Sequence, residues 1–148
     1  MAITLDLQND DAFDNLPEAR RFQTWVEAAL QQDYAELQQT VRIVDAAESR
    51  DLNYRYRGKD SPTNVLAFPS DSGYLGYACL GDLVICAPVV ATEAAEQGKA
   101  EEAHWAHLVV HGMLHLQDFD HQDAAQTRKM ETLEIKILDG LGYNNPYI

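Results

Sequence analysis

Residues 111–121 read His-Gly-Met-Leu-His-Leu-Gln-Asp-Phe-Asp-His and place three histidines at spacings of four and six residues. On an α-helix, side chains four residues apart lie about 40° apart on one face, so the imidazoles of His111 and His115 can bind one ion. His121 can reach the same ion only if the chain turns back. Residues 117–120 favour that turn, because Asp side chains hydrogen-bond readily to nearby backbone. The stretch therefore predicts a helix with two metal ligands, a turn and a third ligand.

Three imidazoles leave one position of a tetrahedral ion open, which is typical of a catalytic zinc site, although another divalent transition metal could occupy it. The alternative is a helix whose histidines only form hydrogen bonds in the core or at the surface. Three histidines at this spacing favour metal binding. His104 and His107 fall in the same helical stripe as His111 and His115. Either side chain could hydrogen-bond to a histidine that binds the metal. We expect instead that both are hydrogen-bonded or exposed residues with no role in metal binding.

Composition predicts one domain over residues 1–148, because 148 residues with 46% hydrophobic content can bury one core. The amino terminus lacks the basic start of a signal peptide, and the longest apolar run, residues 83–91, is interrupted by Pro88 and is too short to cross a bilayer. We therefore expect a soluble, cytoplasmic protein with no membrane partner. Cys79 and Cys86 form no dense framework, so buried reduced thiols are favoured over a disulfide.

The formal net charge of −13 argues against broad, non-specific attraction to nucleic acid, and we expect no DNA partner. However, Arg50, Arg55, Arg57 and Lys59 lie within ten positions and could form a local basic patch on an acidic body. The alternative for this patch is a solvated helix end. A shallow basic groove would suit flexible single strands better than a duplex.

Hydrophobic periodicity predicts alternating strands and helices. Asp45 and Glu48 resemble a capping box that opens a short helix toward Tyr54, and Asp123 with Gln126 caps the last helix. We predict strands over residues 3–8, 40–44 and 65–68. After a turn at residues 70–73, we predict extended chain over residues 74–86 with a bulge at 81–82. We predict helices over residues 16–32, from residue 88 to the break at Gly98, over residues 99–116, and from residue 123, where the last helix carries the apolar stripe Met130, Leu133, Ile137 and Leu141.

These elements indicate an α/β (α+β) fold: a single compact domain with a mixed β-sheet of about four strands covered by helices, one of which is the histidine-bearing metal helix. The segments on either side of the predicted turn could form a β-hairpin.

Hydrolysis is the default chemistry of an open three-histidine site, because a zinc-type ion activates water and polarises a carbonyl or phosphoryl oxygen. Zinc proteases with this spacing place Glu directly after the first His as general base, whereas here that residue is Gly112. Phosphodiester cleavage would instead need a cation near the metal, which the arginine-rich segment offers. No general base is assigned, and Asp118 and Asp120 are interpreted as turn formers.

Three segments carry a family resemblance. Residues 111–121 resemble the HGxLHLxGYDH signature of the YbeY family of bacterial endoribonucleases and rRNA maturation factors. Residues 52–69 resemble its YRxKDxPTNVLSFP block, and residues 81–86 its GD(I/L)xIC strand. The closing residues 141–147 also resemble the family's usual end. The resemblance covers the chain from about residue 52 onward, in order and at compatible spacing.

The resemblance implies a zinc-like ion on His111, His115 and His121, and metal-dependent cleavage of single-stranded RNA in 16S rRNA 3′-end maturation and 70S ribosome quality control. It also implies the ribosome and small-subunit assembly factors as partners. The family's functional arginine falls on Arg57. Arg57 and His111 are therefore the candidate catalytic residues, and Arg57 with Lys59 would bind substrate.

Two residues depart from the family signature: Asp118 stands where Gly is usual and Phe119 where Tyr is usual. Asp tolerates the left-handed backbone region better than most residues, so the turn remains feasible. Two other functions stay open: a metal-dependent amidase or peptidase, and a non-catalytic ribosome-assembly factor whose metal is structural and has a fourth protein ligand.

Overall fold

A computed structural model describes residues 2–70, 78–119 and 123–148, and within these ranges the chain forms four strands and five helices. Their order is the one that the sequence predicts: strands and helices alternate at first, and then two strands and three helices follow. The strands are β1 (Ala2–Gln8), β2 (Glu36–Val44), β3 (Val65–Pro69) and β4 (Ala78–Cys86); the helices are α1 (Ala19–Ala29), α2 (Ala46–Arg57), α3 (Ala87–Gln97), α4 (Glu101–Leu116) and α5 (Ala124–Gly140).

The strands form one mixed sheet in the order β1-β2-β4-β3. β1 pairs parallel to β2 and β2 pairs parallel to β4, whereas β3 runs antiparallel to β4. The predicted mixed sheet of about four strands and the predicted pairing of the two segments around the turn are confirmed. Residues 71–77, which include most of that turn and the first part of the predicted extended segment, lie outside the described residues.

Capping explains why two of the helices begin where the sequence predicts. The Asp45 side chain accepts a hydrogen bond from the Glu48 backbone N–H at 2.8 Å, and Asp123 accepts one from the Gln126 N–H at 2.8 Å. Each bond satisfies one of the backbone donors that a helix N-terminus leaves unpaired. α2 then continues to Arg57, beyond the predicted end near Tyr54, before Gly58 adopts a left-handed φ of 71°.

Two elements begin three or four residues away from their predicted starts. α1 begins at Ala19 rather than at residue 16, because Leu16 precedes Pro17, and a residue before proline is pushed out of the helical region. β2 begins at Glu36, four residues before the predicted start at 40, because Leu37 and Gln39 are buried and continue the alternation of the strand. Because glutamine is rarely buried, the polar residues before position 40 did not predict a strand.

Close packing of helices on the sheet sets the position of α4. One face of the sheet joins α1, α4 and α5 in the larger hydrophobic core, which includes Phe22, Trp25, Val41, Ile43, Leu83, Ile85, Trp105, Val109, Met113 and Met130. The other face forms a smaller cluster with residues of α2 and α3. α4 contacts α1, α3, α5, β3 and β4, so it lies between sheet and helices along most of its length.

Both cysteines are reduced thiols, as predicted; Cys86 is buried, whereas Cys79 is only half-buried. Across the residues that the structure describes, none of the helices combines the length and the apolar character needed to cross a membrane.

The predicted bulge at residues 81–82 is confirmed by the strand register. Gln38 lies opposite Cys79 and Thr40 opposite Asp82, so β4 carries one extra residue over this stretch. Gly81 has a φ of 137°, and a Cβ atom added there would lie 2.1 Å from the Phe68 carbonyl oxygen. Only glycine fits this position, where β4 approaches β3.

We therefore expect Gly81→Ala to lower the free energy of unfolding by about 2–4 kcal/mol, through backbone strain and a clash with β3. Urea denaturation of the purified protein measures the change. Gly140→Ala is the matched control, because a Cβ added to Gly140 meets nothing within 4 Å. Its effect should stay within about 1 kcal/mol. Equal stabilities for the two variants would contradict the strained bulge.

Candidate metal centre

Helix α4 carries four histidines in one stripe along its length: His104, His107, His111 and His115. The helix is held close to the sheet at Gly112, where an added Cβ would lie 2.7 Å from Leu83 Cδ2. This packing leaves the histidine stripe directed toward neighbouring side chains rather than toward the main hydrophobic core.

His111 and His115 face each other through the same ring atom. Their Nε2 atoms lie 3.1 Å apart. Two nitrogens that bind one tetrahedral ion at about 2.0–2.1 Å lie about 3.3 Å from each other. The pair therefore has the separation that a shared divalent ion requires, and imidazole nitrogen is a ligand that such ions accept.

A carboxylate on the neighbouring helix lies behind this pair. Glu134 of α5 is 0% exposed, and its Oε1 lies 2.8 Å from His111 Nδ1. Its Oε2 lies 2.9 Å from His107 Nε2 and accepts a 2.6 Å hydrogen bond from the Tyr147 hydroxyl. If the proton of His111 is on Nδ1, that nitrogen donates to Glu134 and the lone pair of Nε2 points toward His115. Glu134 thus favours the tautomer that a metal ligand needs.

Electrostatics keep Glu134 ionised in spite of its location. Burial alone would raise the pKa of this carboxyl group, but the hydrogen bonds from His107 and His111, together with the charge of His111 and the Tyr147 hydroxyl, outweigh burial and lower the pKa to about 2. A buried anion with three hydrogen-bond partners is a fixed acceptor at neutral pH.

His107, His111 and Glu134 also sit together as a group that could hold a metal ion, since one donor atom from each lies within 4.8 Å of the others. This group shares only His111 with the predicted triad. Of that triad, His111 and His115 are brought together, whereas His121 and the neighbouring Asp120 lie outside the described residues. Two arrangements of donors therefore meet at His111.

His104 has a different partner. It is 3% exposed, and its Nε2 lies 2.8 Å from Glu93 Oε1. Burial lowers the pKa of His104, against the hydrogen bond to Glu93, which raises it. Asn64 donates to the same Glu93 side chain at 3.1 Å. His104 is thus a buried, hydrogen-bonded histidine, as expected, whereas His107 belongs to the group around Glu134.

A cleft of about 610 Å³ opens beside the histidine pair. Arg57, His111 and His115 line it together with residues of β3 and with Asp118 and Phe119. Lys59 is exposed but is not among the lining residues. The structure therefore brings Arg57 to the same cavity as two of the predicted ligands and leaves Lys59 outside it.

Two of the four residues of the predicted basic patch are paired with acidic neighbours. Arg50 Nε lies 2.6 Å from Asp60 Oδ1, and Arg55 Nε lies 3.2 Å from Asp51 Oδ2. Among the residues that the structure describes, Arg57 makes no ion pair, and it is exposed at the end of α2. Its charge is therefore available to a ligand in the cleft.

The turn after α4 follows the prediction as far as it is described. The helix ends at Leu116, and Asp118 adopts a φ of 71°. The backbone N–H groups of Asp118 and Phe119 donate to the carbonyls of His115 and Leu114 at 3.2 and 3.1 Å. Asp118 thus occupies the left-handed conformation for which glycine is usual, as Asp can do at modest cost.

Fold and site together define an α/β domain in which paired imidazoles, supported by a buried carboxylate, open on a cleft with an available arginine. A sequence model of the family described as "Endoribonuclease YbeY" matches residues 6–142, nearly the whole chain. The chain belongs to this family, and membership supports a metal-dependent endoribonuclease, a hydrolase that acts on RNA.

A solved structure shows the same fold. The solution structure of TM1509 from Thermotoga maritima superposes with a TM-score of 0.53 at 23% sequence identity, covering 95% of this chain and 91% of that protein's. At this identity the likeness concerns the fold alone.

Two residues of the site were missed from the sequence, namely Glu134 and Tyr147. A signal for Glu134 was present, since it lies four residues from both Met130 and Leu138, which are buried on the same face of α5. The predicted stripe included Met130 but continued through Leu133, Ile137 and Leu141, which are only partly buried and pack against the core. A carboxylate in the centre of an apolar face is costly unless it is paired, and therefore marks a partner nearby. No comparable pattern distinguishes Tyr147.

We expect Glu134→Gln to weaken Zn²⁺ binding by about 10–100-fold, the usual effect of removing a carboxylate that orients a ligating imidazole. Competition with a chromophoric chelator measures the affinity. Asp139→Asn, an exposed acid-to-amide change on the same helix, is the control and should bind like the wild type. An unchanged affinity in Glu134→Gln would contradict the role of Glu134.

Proposed function

We propose that this protein is a single-strand-specific, metal-dependent endoribonuclease that acts in 16S rRNA 3′-end maturation and 70S ribosome quality control. The observation that carries the proposal is the shared cleft: the His111 and His115 pair and the available guanidinium of Arg57 line one cavity. Family membership supports RNA as the substrate.

The ion of this proposal, Zn²⁺ or another divalent transition metal, is held by His111, His115 and His121. The 3.1 Å separation of the two Nε2 atoms fits a shared ion. The alternative group of His107, His111 and Glu134 is less suited to catalysis, because neither His107 nor Glu134 lines the cleft. An ion there would be structural, whereas the Nε2 side of His111 and His115 is open to substrate.

When bound, such an ion supplies Lewis acidity that activates water and polarises a phosphoryl oxygen. The side chains of the protein do the rest. Glu134 holds the His111 ring through Nδ1, and Arg57 donates hydrogen bonds to the phosphate oxygens. A guanidinium can make two parallel bonds to a phosphate, so Arg57 both orients the phosphodiester and stabilises the negative charge that develops on it. Lys59, outside the cleft, adds weaker attraction for the strand.

Single-stranded RNA fits the charge distribution of this protein. A net charge of −13 repels a polyanion over most of the surface, and Arg57 is the cleft's available cation among the described lining residues. A flexible strand can bring one phosphate to that point and bend the rest away, which a rigid duplex cannot do as easily.

A peptidase that used the same ion would need a carboxylate at position 112. Gly112 instead backs onto the sheet, where an added Cβ lies 2.7 Å from Leu83 Cδ2 and 3.4 Å from Val65 Cγ2. A glutamate side chain there would displace Leu83 rather than reach a substrate. The geometry therefore favours phosphodiester over peptide hydrolysis.

The cellular part of the proposal rests on family membership. We propose the cytoplasm as the protein's location, rRNA as its substrate, and the ribosome and small-subunit assembly factors as its partners. If metal binding stabilises the protein but no RNA is cleaved, the result would indicate a non-catalytic assembly factor with a structural metal.

Cleavage of an end-labelled single-stranded rRNA fragment by the Zn²⁺-loaded protein tests the activity. His115→Ala should abolish cleavage. Arg57→Ala should lower kcat by about 100-fold or more, because it removes a donor to the transition-state charge. Arg57→Lys should recover only part of that loss, since an ammonium lacks the planar fork.

The matched control is Arg55→Ala, a neighbouring exposed arginine on α2 that pairs with Asp51 and should keep wild-type cleavage. Equal cleavage by wild type, His115→Ala and Arg57→Ala would indicate a contaminating nuclease and overturn the proposal. If Arg57→Ala raised KM and left kcat unchanged, Arg57 would only position the substrate.

A further inference from the structure

The segment that follows α5 reaches back to the metal centre through one side chain. The Tyr147 hydroxyl donates to Glu134 Oε2 at 2.6 Å and lies 3.3 Å from His107 Nε2. Its ring meets the His107 ring edge-on, with centroids 5.4 Å apart. Tyr147 lies beyond residue 142, where the family match ends.

We propose that Tyr147 is a positioning residue for the metal centre: its hydroxyl fixes the Glu134 carboxylate, which in turn orients His111 for metal binding. This inference rests on the proposed metal centre at His111 and His115. The segment after α5 thus controls the orientation of His111, although Tyr147 contacts neither the ion nor the substrate.

The position of the Tyr147 side chain argues against a purely packing role. The residue is 44% exposed, so its side chain is only partly buried. Its hydroxyl nevertheless reaches a carboxylate that is 0% exposed. The polar contact, rather than burial, is therefore what this residue contributes most clearly to the structure.

Chemistry makes the phenol different from the other donors to Glu134. An imidazole nitrogen donates or accepts according to its tautomer, so the bonds from His107 and His111 depend on proton placement. A phenol ordinarily titrates at about pH 10, so the Tyr147 hydroxyl keeps its proton at neutral pH. Tyr147 is thus a constant donor that occupies Oε2 and leaves Oε1 to His111 Nδ1.

The test is a double-mutant cycle on Zn²⁺ affinity, measured with a chromophoric chelator. Tyr147→Phe keeps the ring against His107 and removes only the hydroxyl. We expect the Zn²⁺ affinity to fall about tenfold, which is the low end of the range for residues that orient a metal ligand. In the Glu134→Gln background, Tyr147→Phe should cause no further loss, because the residue acts through Glu134.

A spectroscopic readout separates positioning from general stability. The visible absorption bands of the Co²⁺-loaded protein report ligand geometry, and they should shift in Tyr147→Phe. Tyr143→Phe is the matched control: it removes a hydroxyl from the same segment, where Tyr143 bonds Glu102 at 3.1 Å. The control should keep wild-type affinity and spectrum, and thermal unfolding of the metal-free proteins defines a temperature at which all variants are folded.

Zn²⁺ affinity and Co²⁺ bands in Tyr147→Phe that match the wild type would overturn the inference, and so would an equal loss in the wild-type and Glu134→Gln backgrounds. The proposed function fails differently, when the wild-type protein itself binds no Zn²⁺ or cleaves no RNA. Metal binding by the wild type with an indifferent Tyr147 would thus reject the positioning role and leave the endoribonuclease proposal intact.

Discussion

The hydrogen bonds to the buried carboxylate of Glu134 are the interaction on which the metal centre depends. Helix α4 is packed between sheet and helices, so the imidazoles on it cannot all turn to water. A buried charge is tolerated only when it is paired and hydrogen-bonded. Glu134 meets this condition through His107, His111 and Tyr147, and in return it fixes the ring of a candidate ligand.

Close backbone packing brings this arrangement to an open cleft. Gly112 lets α4 lie against Leu83, and Gly81 lets the bulged β4 pass close to β3, the edge strand that lines the cleft. α2 ends at Arg57 beside the same cavity. Two of the proposed ligands, His111 and His115, therefore lie on one helix, and Arg57 lies at the end of another beside the same cavity, which favours a fixed spacing between them.

Local patterns predicted much of this structure. The spacing of His111 and His115, the caps at Asp45 and Asp123 and the bulge at Gly81 are all properties of a few adjacent residues. The helical period of α5 carried a signal that Glu134 is buried, but not which residues it contacts, because its histidine partners lie on another helix, 23 and 27 positions away in the chain. Contacts of this kind arise from tertiary packing, which no helical or strand period encodes. The third predicted ligand, His121, stays a prediction.

The protein can be acidic overall and still attract a phosphate group, because not all of its basic side chains are paired with carboxylates. Five other arginines pair with carboxylates, as Arg42 does with Asp10 and Glu48, whereas Arg57, which makes no ion pair within the described residues, lines the cleft. One uncommitted cation next to a metal is enough for a single phosphodiester, and the surrounding negative charge then disfavours long, stiff polyanions.

The most direct test of the proposed metal centre is the location of the ion in crystals grown with Zn²⁺, by anomalous diffraction at the zinc edge. We expect one ion at about 2.0–2.1 Å from the Nε2 atoms of His111 and His115, with His121 as third ligand and one position open to the cleft. An ion bound instead to His111 Nδ1, His107 and Glu134, or one enclosed by four protein ligands, would contradict the proposed centre.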